Sequence, residues 1–260
     1  MKAMKDGLRG KRMIGLFVLL AVIIATAGCT AANKTLKVGI ESNFRPFTYT
    51  EGGESKGFEV ELWQAISQEA NLKYELVPME QSELNKAVQS GKIDLAIAGM
   101  TVNKARKDNF VFSDPYFQTG LVILTQADSP IKGKDDLANK VVATKTGSTA
   151  YTYAGGITGI KEVRGYPDIS EAYEQLKNKS VDAVIFDERN VHDFQQNGGE
   201  GKVKIAGEVL NKESYAIIAK KRSKYIGRIN QAIGKVVKDG TYETLYGKWF
   251  GGKPAKLPGK

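Results

Sequence analysis

The chain has 260 residues, a formal charge of +9, and 42% hydrophobic against 26% charged residues, which suits one large domain or two smaller ones and excludes a disordered chain. Its Lys and Arg residues are scattered, with no dense block and no stripe interleaved with aromatics, which argues against a nucleic-acid partner. A single cysteine, Cys29, excludes an intrachain disulfide, so packing has to hold the fold.

Residues 1–28 read as a leader. Lys2, Lys5, Arg9, Lys11 and Arg12 precede the apolar run MIGLFVLLAVIIATA, which is short for a membrane span. The small pair Ala27-Gly28 before Cys29 resembles the lipobox of bacterial lipoproteins, with Thr26 where that motif usually has Leu. The resemblance implies cleavage before Cys29, a diacyl anchor on it, and work outside the cytoplasm at a membrane; the other reading is an uncleaved anchor helix. Cleavage removes five basic residues and one acidic one and leaves +5. Residues 29–35 follow as a polar tether.

LKVGI alternates and predicts a strand; the Pro- and Gly-rich stretch behind it predicts loop and hairpin. FEVELWQAISQEANL has the spacing of an amphipathic helix, and KYELVPM reads as a second strand closed by Pro78. QSELNKAVQSG predicts a short helix capped by Ser82 and ended by Gly91, and IDLAIAG a central strand apolar on both faces. The run TGLVILTQ is another strand, KDDLANK a short helix, VVATKTG a strand, and a helix starts at Ser148. KEVRGYPDISEAYEQLKNKSVDAVIFDER gives strand, helix, strand; VKIAGEVLNKESYAIIAKK returns two strands; the tail is helix, turn at Asp239-Gly240, helix. Two α/β runs joined by a crossover and a return predict two doubly wound lobes.

Open α/β sheets bind ligands beyond the carboxyl ends of their strands. The loops after IDLAIA, VVAT and DAVIF carry Thr101 and Arg106, Lys145 and Thr149, and Asp187. Arg supplies a planar fork for a carboxylate, Thr a hydroxyl and an amide, and Gly99 a close backbone approach. Asp187 suits an ammonium. An α-amino acid fits one anion cradle plus one carboxylate. Each residue also has a plainer role: Arg106 in a surface ion pair with Asp108 or Asp114, Asp187 as a helix cap, Phe44 as core. His192, the one histidine, reads as solvent-facing on a helix. No cofactor or metal motif appears.

GFEVELWQAI, IDLAIAGMTVNKAR, FSDPYF, VVATKTGS, DAVIFD and GTYETLYGKWFG resemble, in order and approximate spacing over residues 35–252, the extracellular solute-binding proteins of polar amino-acid ABC transporters (family 3). The resemblance implies a type II periplasmic-binding-protein fold: a first lobe of residues 36–115 plus 216–252, a second of 121–210, and hinges near 116–120 and 211–215. VPMEQS and VRGYPDISEAYEQL are similar to the glutamine-binding branch. On that resemblance Glu41 reaches the ligand's side-chain amide and Phe44 packs on its stem. Gly99 (by its carbonyl), Thr101 and Arg106 form the first-lobe cradle. Lys145 and Thr149 contact the amide and carboxylate, and Asp187 takes the ammonium. Three positions depart from the branch: Phe186 for a histidine, Gln81 for an aromatic, and Glu41 for Asp. Arginine, lysine or glutamate therefore stand as alternative ligands.

The implied partners are a free amino acid, a membrane permease and, through Cys29, the membrane, with the chain acting as a monomer and not as an enzyme. A dehydratase on the same scaffold and a sensing module are the rivals from other classes.

Overall fold

The computed structural model describes residues 34–259. The leader, Cys29 and most of the tether lie outside the described residues. Strand β1 (Leu36–Glu41) is followed by a small three-stranded sheet, β2 (Asn43–Phe44), β3 (Thr48–Glu51) and β4 (Glu54–Lys56). Helix α1 (Phe58–Glu69) buries Phe58, Leu62, Trp63 and Ile66, the recurrence of three and four that the sequence shows. Then come β5 (Tyr74–Met79), α2 (Gln81–Ser90), β6 (Leu95–Ala96), the single turn α3 (Lys104–Lys107) and β7 (Phe110–Phe112).

Two local expectations change. Helix α2 starts at Gln81 with Glu80 at its cap position, so Ser82 lies inside the helix and caps nothing. Strand β5 runs through Pro78, which pairs with Ile40; β5 is an edge strand, where a missing N–H interrupts no ladder on the open side.

The chain then leaves for a second sheet: β8 (Phe117–Gln126), a 3-10 turn (Lys134–Leu137), β9 (Val141–Lys145), α4 (Thr149–Gly155), β10 (Glu162–Tyr166), α5 (Ile169–Lys177), β11 (Ala183–Asp187), α6 (Glu188–Asn197) and the long β12 (Val203–Tyr215). It returns in β13 (Ile218–Lys220) and ends in α7 (Ile226–Lys238) and α8 (Thr241–Phe250). The first sheet is ordered β5-β1-β6-β13-β7 and the second β10-β9-β11-β8-β12. β6 is only two residues long, yet it is central and buried, parallel to β1 and antiparallel to β13. Within each sheet the βαβ pairs, β1 with β5 and β6, and β9 with β10 and β11, are parallel. This is the mixed α/β architecture expected, with two lobes of sheet and helices.

The two passages between sheets run side by side. Ser113 N–H donates to the Ile217 carbonyl (2.8 Å) and Tyr116 N–H to that of Tyr215 (2.9 Å). Under this joint sits an aromatic cluster: Phe47 meets Phe117 edge-on at 4.9 Å, and Phe250 lies 5.0 Å from both Phe58 and Phe117. The Tyr242 hydroxyl donates to the Tyr116 carbonyl (2.8 Å). The GTYETLYGKWFG segment thus packs α8 beneath the crossing strands.

Candidate ligand-binding site

Strand ends and helix starts position the site. Strand β1 delivers Glu41 at its last residue, and β6 passes into Gly99, whose φ of +56° is left-handed. A Cβ there would stand 2.5 Å from Phe44 Cε1, so only glycine lets this backbone lie on the ring. Asn103 caps α3 by accepting from the Arg106 N–H (2.9 Å), and this sets the root of the Arg106 side chain. Its guanidinium is buried and donates to the Thr101 carbonyl (3.2 Å). A surface ion pair is therefore not its role.

From the second sheet, β9 ends in Lys145 and β11 in Asp187. Ser148 caps α4 by accepting from Tyr151 N–H (3.1 Å), and Thr149 is its first residue. Asp187 serves two roles. Oδ1 caps α6, accepting from Arg189 N–H (3.1 Å), while Oδ2 accepts the Thr119 hydroxyl (2.9 Å) and the Tyr215 hydroxyl.

All eight residues marked in the sequence, Glu41, Phe44, Gly99, Thr101, Arg106, Lys145, Thr149 and Asp187, line one cavity. Gln81 and Phe186, marked as departures, line it too. Sequence reasoning missed Glu213 and Tyr215. Both sit on β12, two residues apart and hence on one face, and Glu213 pairs with Thr119 across the sheet. The period-two alternation of Asn211, Glu213 and Tyr215 was the available signal. His192 is half-exposed on α6, 4.0 Å from Glu188, and does not line the cavity.

The electrostatics are those of a desolvated polar site. Lys145 and Glu41, both buried, form an ion pair across the two sheets. Burial draws the Lys145 ammonium down to about 8, with Asp168 opposing, so it stays charged at neutral pH. Burial raises Asp187 to about 6, against its hydrogen bonds from Tyr215 and Thr119. Burial also lowers Arg106, and the field of Glu213 opposes that. Behind the cavity, fully buried Glu59 accepts the Tyr116 hydroxyl and the Gly99 N–H (2.8 Å); burial lifts it to about 7. The arrangement holds charges of both signs at fixed positions around one cavity, which suits recognition of a small polar ligand.

The sequence profile of the bacterial extracellular solute-binding proteins, family 3, matches residues 36–252. The chain belongs to that family. Among curated relatives of this solute-binding protein, the arginine-binding extracellular protein ArtP of Bacillus subtilis is 28% identical over 241 residues, 91% of this chain and 94% of that one. Among solved structures, the arginine-, lysine-, histidine-binding protein ArtJ of Geobacillus stearothermophilus superposes with a TM-score of 0.82 at 32% identity, covering 85% of this chain and 97% of ArtJ. An ancestral arginine-binding protein is 38% identical and covers 84% of this chain and 98% of its own. Its TM-score is 0.79 bound to arginine and 0.78 bound to glutamine. Among the described residues of this solute-binding protein, no helix is long and apolar enough to cross a membrane.

Proposed function

We propose that this solute-binding protein captures a free polar L-amino acid outside the cytoplasm and passes it, as a monomer, to the permease of an ABC importer, tethered by a diacyl anchor on Cys29. The lobes are residues 36–115 plus 216–252 and 121–210. They close by bending near 116–120 and 211–215, a reading supported by the paired passages of chain at Tyr116 and Tyr215. The ligand's α-carboxylate meets Arg106, Thr101 and Thr149, its α-ammonium meets Asp187 and the Gly99 carbonyl, and its stem packs on Phe44.

The observation that carries the choice of side chain is the Lys145–Glu41 pair. A carboxamide needs one donor for its C=O and one acceptor for its NH₂, and an ammonium beside a carboxylate supplies both. Glutamine is the preferred ligand on this ground. Arginine is the second reading: the cavity carries Glu41, Asp187 and Glu213 against Arg106 and Lys145, an excess of one negative charge, and relatives named above bind arginine. Calorimetric titration with the free L-amino acids tests both. Saturable binding with glutamine tightest is expected; arginine tightest selects the second reading, and no binding of any amino acid overturns both.

A further inference from the structure

Cationic side chains that lie far apart in the sequence meet at one end of the first sheet. Leu36 pairs with Tyr74, Ala219 with Leu95, and Lys220 with Phe110. This register brings together the start of β1, the start of β5, the approach to β6 and the turn after β13. They lie at the opposite ends of the strands from Glu41 and Gly99, and so away from the cavity. Lys73, Lys92, Lys220, Lys221, Arg222 and Lys224 stand at this end, all exposed. The acids nearby are engaged or balanced by other groups. Glu75 pairs with Lys37 (3.7 Å), Asp94 accepts the Lys37 N–H (2.9 Å), Glu69 pairs with Lys235 (3.3 Å), and Asp108 follows Lys107. No ion pair among the described residues engages any of the six cations. The corresponding end of the second sheet has the other character: Lys179 pairs with Asp128 (2.7 Å), and Asp135, Asp136 and Asp182 interrupt its lysines.

Like charges gathered on one face repel one another unless an anionic partner offsets them. Exposed lysines spread over four segments of chain suit a broad anionic surface. The same end is where the chain enters the lobe, since β1 starts at Leu36. From Cys29 to Thr35 the sequence leaves six residues, a reach of at most about 20 Å at full extension. A membrane holding acyl chains on Cys29 is therefore within reach of this end. The surface potential of anionic lipids attracts basic groups close to the tether point and decays within a Debye length of about 8–10 Å.

We propose that the basic end of the first lobe rests on the anionic phospholipid headgroups of the membrane that carries the anchor, with the cavity left free at the far end of the same strands. This rests on the reading above that Cys29 bears the anchor.

The test is acetylation of lysines in the full chain by a neutral, water-soluble reagent, read residue by residue by mass spectrometry. The chain is reconstituted into vesicles of phosphatidylcholine alone or with about one third phosphatidylglycerol. With the anionic lipid, Lys92, Lys220 and Lys224 are expected to react about threefold more slowly or less, while Lys134 and Lys202 of the second lobe react at the same rate in both; about 0.5 M salt removes the difference. In the triple variant Lys220→Glu, Lys221→Glu, Lys224→Glu, the reporters Lys73 and Lys92 react equally on the two lipids. Its melting temperature and amino-acid titration stay those of the wild type, because none of the three side chains lines the cavity. Equal rates for the wild type on the two lipids overturn the proposal, as does a slowing that the triple variant keeps. The anchor is scored separately, by the mass of the peptide bearing Cys29: an unmodified Cys29 removes the anchor reading, and the rate comparison still decides the surface.

Discussion

At the scale of single residues, Gly99 and Glu59 are the positions where local physics is least forgiving. Gly99→Ala forces a side chain into a left-handed backbone and into Phe44, which is itself stacked on Phe47 at 4.9 Å and has little room to yield. We expect a loss of about 1–3 kcal/mol in denaturant unfolding together with weakened ligand binding; a variant as stable as wild type contradicts the packing described. Glu59 makes stability depend on pH. Its carboxyl titrates near 4.5 when unfolded and near 7 when folded, so between those values the folded chain holds the extra proton. Stability therefore falls as pH rises through this window, and the loss is complete above it, at about 3 kcal/mol. Asp187, lifted from 3.8 to about 6, acts with the same sign over a lower window. Glu59→Gln keeps an acceptor for Tyr116 and Gly99 and removes the titration. The wild-type melting temperature should drop more steeply between pH 5 and pH 7.5 than that of the variant; parallel curves would rule the effect out.

At the scale of elements, the junction of β11 and α6 separates folding from binding. Asp187 both caps the helix and faces the cavity, so Asp187→Ala removes two things at once. Asn caps a helix about as well as Asp but offers no charge to an ammonium. Asp187→Asn is expected to unfold within about 1 kcal/mol of wild type, and losing one partner of a buried charge pair of about 3 kcal/mol weakens binding at least 100-fold. Urea unfolding and calorimetry on the same preparation separate the two effects, and unimpaired binding would mean that the ammonium lies elsewhere. Such junctions are also what the sequence displays best. A buried strand followed by a capping residue is a local signal, so Arg106 behind Asn103, Thr149 behind Ser148, and Asp187 were legible. Ser82 misled because several polar residues at a helix start compete for the cap, and Pro78 because its tolerance depends on β5 being an edge. Glu213 was hidden for a longer-range reason: it sits in mid-strand, and which face of β12 meets the cavity is fixed by its pairing with β8.

At the scale of the whole molecule, the closure proposed above makes function depend on the balance between lobes apart and lobes together. Besides the Lys145–Glu41 pair, Asn43 Nδ2 donates to Asp168 Oδ2 (2.7 Å), and Asn190 Nδ2 donates to the Arg45 carbonyl (2.6 Å). These bonds tie β2 and the residues just behind it to the start of α5 and to α6, near but outside the cavity. Of the two side chains, Asn43 is the cleaner probe. Asn190 also accepts the Tyr173 hydroxyl (2.5 Å), so truncating it would orphan a buried group in the second lobe. Asp168, by contrast, keeps its cap on α5 through Ser170 after Asn43 is cut back. A hydrogen bond to a charged acceptor is worth about 1.5–3 kcal/mol, and it exists only when the lobes meet. Removing it lowers the closed population by that amount, and ligand affinity falls in proportion because the ligand has to supply the missing free energy. Asn43→Ala is therefore expected to bind about tenfold more weakly while each lobe stays as stable as before. Small-angle scattering should show a larger radius of gyration for the variant than for the wild type in buffer, and equal radii at saturating ligand. An affinity equal to that of the wild type would mean that closure owes nothing to this bond.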